Sequence, residues 1–251
     1  MPRTVFLTSS PCTYPPPPGV DAPFLLSEEN GFLRLLHEVL PEDTRLLLIA
    51  ADPDDADFNE RLLADFTLGF RASGFPGLQA DILQRTNQDK LQPLLDRSDL
   101  VLLCGGHVPT QNRFFRQINL KAALSSYAGS VMGISAGSMN AAETVYAQPE
   151  LPGESTDKGY ARFLPGLGLT RVQILPHLNK ERHTILDGKR LYEDITFPDS
   201  IGRCFLAIPD GSFVFVQDGQ ARLHGEGWKV AEGVMTKVAP KGDVLALSPE
   251  N

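Results

Sequence analysis

The chain has 251 residues, 42% of them hydrophobic and 22% charged, with a formal net charge of −8. This balance suits one ordinary α/β domain able to bury its own core, and the negative charge disfavours nucleic acid or an anionic membrane surface as a partner. The three cysteines, Cys12, Cys104 and Cys204, are odd in number and widely spaced, which argues against a disulfide framework and a zinc site, and for reduced thiols in the cytoplasm.

The first apolar stretch is too short for a secretion signal, and no run approaches the roughly 20 residues that cross a bilayer. Residues 5–7 begin a strand that ends in Thr8-Ser9-Ser10. Residues 11–23 contain four consecutive prolines and read as a stiff loop at that strand's carboxyl end, placed to narrow the entrance of a site there. A helical pattern opens at Ser27-Glu28 and runs through Leu33, Leu36 and Leu40 to Pro41. Residues 45–51 are nearly all apolar, the pattern of a strand buried on both faces. A helix over 58–72 carries Leu62, Leu63, Phe66 and Phe70 at helical spacing and closes at Gly74. A strand over 78–83, a short helix over 89–96, a strand over 99–104 ending in Gly105-Gly106, and a helix over 111–127 follow. A fifth strand over 129–134 runs directly into a helix over 136–146.

This alternation implies a doubly wound, mostly parallel sheet, with ligands bound at the carboxyl ends of its strands. Residues 148–168 read as loop, 172–175 as a strand running into Pro176-His177, and 181–192 as a helix. The C-terminal part is β-rich, with strands over 204–208, 213–216, 221–224, 229–230, 234–238 and 244–247, and turns at Asp210-Gly211, Asp218-Gly219 and Lys241-Gly242. No fixed-period repeat and no linker divides the chain, so 1–251 reads as a single domain.

Gly133-Ile134-Ser135-Ala136-Gly137 fits G-x-S-x-G between a strand and a helix. The turn is tight enough to demand glycine on both flanks, and it lifts the Ser135 hydroxyl clear of the sheet toward the positive end of the following helix. A serine needs a base, and the base needs something to orient it. Of the five histidines, His177 follows a strand and Pro176, which puts it at a strand's carboxyl end as well. His37 and His183 fall inside helical patterns, His224 lies among the late strands, and His107 follows the double glycine. For the orienting acid, Asp210 in Pro209-Asp210-Gly211 competes with Glu150 and Glu154 in the loop after the Ser135 helix, and Pro-Asp-Gly is also an ordinary turn sequence. Backbone N–H groups of Ala136 and Gly106 are the candidate oxyanion donors. The residues leave two rivals open: an esterase of the α/β-hydrolase type with His224 as base, and a non-catalytic binding module.

Taken together, Leu102-Leu103-Cys104-Gly105-Gly106, Gly133-Ile134-Ser135-Ala136-Gly137-Ser138 and Ile174-Leu175-Pro176-His177 resemble the motifs of peptidase family S51, the family of peptidase E and cyanophycinase. The resemblance implies a flavodoxin-like fold related to class I glutamine amidotransferase domains. It also implies hydrolysis of a small peptide through an acyl-enzyme, without metal or cofactor; a homodimer is compatible with it. In the family a glutamate in a P-E-G turn supports the histidine, where this chain has the shorter Asp210, and Glu150 matches a second position given a family role. The stretch after the double glycine departs from the dipeptidases: it reads His107-Val108-Pro109-Thr110-Gln111-Asn112. His107 and Gln111 are the candidate substrate contacts there, and a preference for N-terminal aspartate does not carry over.

Overall fold

An apolar run becomes an inner strand because the ladder satisfies its backbone while both rows of side chains are hidden. The computed structural model of the protein describes residues 4–248, so both ends of the expected 1–251 domain lie outside the described residues. Five runs form a parallel sheet: β1 (Thr4–Thr8), β2 (Arg45–Ile49), β3 (Gln79–Leu83), β4 (Leu100–Leu103) and β5 (Ser130–Ile134), in spatial order β1-β5-β4-β2-β3. Side chains alternate across it. Leu7, Leu47, Ile49 and Leu103 face one side with helices α3 (Leu91–Leu95), α4 (Val108–Gln117) and α5 (Leu120–Ser125). Phe6, Leu46, Leu48 and Leu102 face the other, against α1 (Phe32–Val39) and α2 (Ala56–Ala72). The result is the expected doubly wound, flavodoxin-like arrangement.

The β-rich remainder divides in two. It supplies α6 (Ala136–Asn140), β6 (Ile174–Leu175), α7 (Leu178–Glu181), β7 (Cys204–Ala207), β8 (Phe213–Gln217), β9 (Gln220–His224), β10 (Gly227–Ala231), β11 (Val234–Ala239) and β12 (Val244–Leu247). Strand β8 pairs antiparallel with β1, and β9 and β12 extend the large sheet to eight strands. Strands β6, β7, β10 and β11 form a second, four-stranded sheet in which β6 and β7 run parallel. No helix among the described residues is long and apolar enough to cross a membrane.

Phe6, fully buried at the centre of the large sheet, packs against Phe32 and Phe215 with ring centroids 5.8 and 4.8 Å away. Phe6→Ala will therefore cost about 3–5 kcal/mol in stability, read as a fall in the denaturant midpoint.

Three expected helices come out differently. The 111–127 helix begins earlier, at Val108, and is broken at Asn119, whose φ of 52° is left-handed. The 136–146 helix stops at Asn140, and Thr144–Tyr146 instead pairs with Phe163–Pro165, a case of tertiary pairing overriding local periodicity. The 181–192 helix is replaced by a hairpin: Ile185–Leu186 pairs with Lys189–Arg190 around Asp187-Gly188, both at positive φ. Asp-Gly is a favoured two-residue hairpin turn, and that local signal prevails over the apolar spacing.

Candidate active site

Ser135 sits at the sharp turn between β5 and α6, with φ 50° and ψ −112°. Strain of this kind is held by its surroundings. The Ser135 N–H donates to Thr8 O at 3.0 Å. A Cβ on Gly133 would come within 2.6 Å of Ser138 N, and one on Gly137 would run into the Leu103 carbonyl, so the chain packs too closely for side chains on either flank. Helix α6 has only five residues, so what it offers a ligand at this turn is individual N–H donors rather than a long helix dipole. The Ala136 N–H stands in the first turn, where no intrahelical acceptor exists.

His177 reaches the same place from the second sheet. Ile174 and Leu175 of β6 lie beside Leu206 and Ala207 of β7, so the extensions of these parallel strands emerge together. One extension carries Pro176-His177, the other Pro209-Asp210-Gly211. His177 takes a left-handed φ of 53°, and its Nδ1 lies 2.8 Å from Asp210 Oδ1. The Pro-Asp-Gly segment is also a true turn, closed by Ser212 N–H donating to Pro209 O at 3.2 Å. The turn presents the carboxylate, so the two readings of this sequence coexist. Desolvation pushes the Asp210 carboxyl up, but its bonds to His177 and Ser9 outweigh that and hold it below the usual aspartate value.

Ser135 and His177 line one cleft of about 180 Å³, together with Gly106, Met139, Glu150 and Lys180. Among the described residues the two side chains are not hydrogen-bonded to each other; such bonds are often loose in a free enzyme and tighten around substrate. Gly106 borders the cleft at the end of β4, and a Cβ there would lie 2.6 Å from Ala51 Cβ. The cysteine next to this loop is no competing nucleophile: burial pushes the Cys104 thiol up to about 12.

The other predicted residues divide between the cleft wall and the surrounding structure. Glu150 lines the cleft, but His177 Nδ1 is bonded to Asp210 instead. Burial and the nearby Glu181 and Glu154 raise the Glu150 carboxyl, against the opposing pull of His107 and Lys180. Glu154 is bonded to His107 Nε2 at 2.8 Å and receives the N–H groups of Glu150 and Leu151, both at 2.9 Å. His107 thus ties the double-glycine loop to the 148–154 loop, and it also bonds Thr110 Oγ1 at 2.9 Å. Gln111 is fully buried, donating to Cys104 O at 2.6 Å and accepting from Asn140 Nδ2 at 3.0 Å, so it braces the loop and does not reach the cleft. His224 is stacked on Phe213 within the large sheet, 4.7 Å between centroids, and does not line the cleft. The proline loop contributes no lining residue either; its Tyr14 and the following Phe24 pack toward Phe66 of α2. Among the described residues, no three His, Cys, Asp or Glu side chains gather as a metal-ligand set.

One site residue was not foreseen. Ser9, fully buried at the end of β1, donates to Asp210 Oδ1 at 2.6 Å and accepts the His177 N–H at 2.7 Å. Its only trace in the sequence is that a strand ends in Thr-Ser-Ser.

No curated protein matches the chain. In fold it is similar to the crystal structure of a peptidase from an acI-B1 Actinobacterium, with a TM-score of 0.61 and 17% identity over 97% of this chain and 96% of that one. It is also similar to a putative peptidase E protein from Listeria monocytogenes EGD-e, with a TM-score of 0.56 and 13% identity over 94% of this chain and 99% of that one. The model of peptidase family S51 matches residues 56–224, a span that contains Ser135, His177 and Asp210. With that match covering most of its length, the chain belongs to peptidase family S51.

Proposed function

We propose that the protein is a serine-type hydrolase that cleaves a peptide or amide bond of a small peptide through an acyl-enzyme on Ser135. The observation that carries this reading is one cleft lined by Ser135 and His177, with Asp210 bonded to the far nitrogen of the imidazole. Asp210 keeps the proton on Nδ1 and leaves the Nε2 lone pair free to act as base. In the first half-reaction His177 Nε2 takes the Ser135 hydroxyl proton while Oγ bonds to the substrate carbonyl carbon. The oxyanion forms near the Ala136 and Gly106 N–H groups. The imidazolium then protonates the leaving nitrogen, the C–N bond breaks, and an acyl ester remains on Ser135. Water attacks that ester, His177 takes its proton and returns it to Ser135 Oγ, and the acid is released.

A cleft of about 180 Å³ is below the usual range of drug-sized sites, which favours a substrate of a few residues and a dipeptidase-like or exopeptidase-like action. The three cysteines are unpaired, as suits a reducing compartment such as the cytoplasm. The hydrogen bond that His177 Nδ1–H donates to Asp210 weakens the case for a non-catalytic module. Labelling the purified protein with a fluorophosphonate and incubating it with a dipeptide panel tests the proposal. Expected results are a single adduct on the Ser135 peptide and release of free amino acids. A folded protein with no adduct and no turnover on any member of the panel rejects it.

A further inference from the structure

The short segment at the end of β1 stitches together the two halves of the site. Thr8 holds the nucleophile turn: its carbonyl accepts the Ser135 N–H at 3.0 Å and the Ser138 hydroxyl at 2.7 Å, and its own hydroxyl donates to Gly133 O at 2.7 Å. The next residue holds the base and its acid. Ser9 Oγ accepts the His177 N–H at 2.7 Å and donates to Asp210 Oδ1 at 2.6 Å. Ser10 completes the seam, its carbonyl accepting the Gly211 N–H at 3.3 Å. Ser135 and His177 belong to different sheets, and this tripeptide is bonded to the turns that carry both.

We propose that Ser9 is a positioning residue that holds Asp210 and His177 in register with Ser135. The proposal rests on the reading of Ser135 and His177 as nucleophile and base. A hydroxyl has one proton to give. Ser9 commits that proton to Asp210, so its oxygen, 3.4 Å from His177 Nδ1, presents a lone pair toward that nitrogen. This favours the tautomer with the proton on Nδ1, the form in which Nε2 can receive the Ser135 proton. Asp210 needs such a brace because its side chain is 60% exposed and is otherwise free to turn into water, whereas Ser9 is fully buried and cannot move with it. The same hydroxyl anchors the backbone of His177 in its left-handed conformation.

The test is a double-mutant cycle on the full chain with its best dipeptide: Ser9→Ala, Asp210→Ala and the pair, with Ser9→Thr as the variant that keeps the hydroxyl. Ser9→Ala is expected to lower kcat by about 10-fold or more while KM stays within roughly 3-fold, because it disturbs a step rather than binding. In the Asp210→Ala background the same change is expected to cost clearly less, about 3-fold or under, since one of the hydroxyl's two partners is already gone and only its bond to the His177 N–H is left to lose. The downfield proton resonance of the Nδ1–H bonded to Asp210 is expected to weaken in Ser9→Ala and to persist in Ser9→Thr, a signature that general loosening of the fold does not produce selectively. Additive effects in the cycle, or an unchanged resonance in Ser9→Ala, overturn the positioning role. Fluorophosphonate labelling of Ser135 and the loss of turnover in Ser135→Ala keep the two readings apart. If Ser135→Ala retains turnover, the underlying mechanism fails. If it is inert while Ser9→Ala behaves as wild type, only the role of Ser9 fails.

Discussion

Ser135→Ala will fold normally and lose at least ~10³ in kcat on the best peptide substrate. The methyl group occupies space the hydroxymethyl already holds, and the turn is set by its backbone bond to Thr8 O and by Gly133 and Gly137, none of which the substitution touches. What disappears is the atom that forms the ester in the proposed mechanism. His177→Ala is expected to lose a comparable amount, and the double variant little more, because nucleophile and base act as a unit. His224→Ala supplies the contrast. Its imidazole is stacked on Phe213, and burial, with Arg222 and Arg34 nearby, holds it below the usual histidine value against the opposing effect of its bond to the Asn30 backbone carbonyl. That variant is expected to lose stability and keep kcat. Steady-state kinetics of the three variants beside their melting curves decide the matter, and a dead His224→Ala with an active His177→Ala would transfer the base to the rival histidine.

Asp210→Asn is expected to lower kcat by about 10²–10⁴ with little change in fold. An amide can turn its NH₂ toward Nδ1 and stabilise the wrong tautomer, and it no longer supports the imidazolium formed in each half-reaction. The acid side of the stability profile offers a separate check. The Asp210 carboxyl is held below its ordinary value of 3.8, so the folded state binds its proton less readily than the unfolded chain. Its contribution is therefore complete above the ordinary aspartate range and fades as pH falls through the depressed folded value. The gap in unfolding free energy between wild type and Asp210→Asn should be present at pH 7 and close in strong acid. With a side chain 60% exposed the gap is small, and activity is the larger readout. Should Asp210→Asn match wild type in kcat, Glu150 becomes the acid to replace next.

Periodicity and punctuation were enough for much of this molecule. The apolar runs that became β1, β2, β4 and β5 read as strands, the 45–51 run as one buried on both faces, and the two glycines around Ser135 announced a turn too tight for side chains, as their contacts with Ser138 and Leu103 bear out. The partial readings have physical causes. Residues 136–146 and 181–192 have spacing that suits a helix, but one segment found a strand partner in Phe163–Pro165 and the other turned back at Asp187-Gly188. Gln111 was a candidate substrate contact because it lies in the stretch after the double glycine, where the resemblance puts substrate choice. Its burial against Cys104 O and Asn140 depends on how α4 packs on α6.

The one-dimensional chain settled which chemical groups were at hand and which turns would expose them, because φ/ψ limits and side-chain period act over a few residues. Folding in three dimensions settled the pairing. His177 was free to face Asp210, Glu150 or Glu154 until β6 and β7 came side by side, and Ser9 had no visible task until β1 ran between the nucleophile turn and that pair. Hydrogen bonds between residues far apart along the chain have no periodicity to betray them. They exist only when separate elements are brought within about 3 Å, and that distance is set by the packing of the whole core.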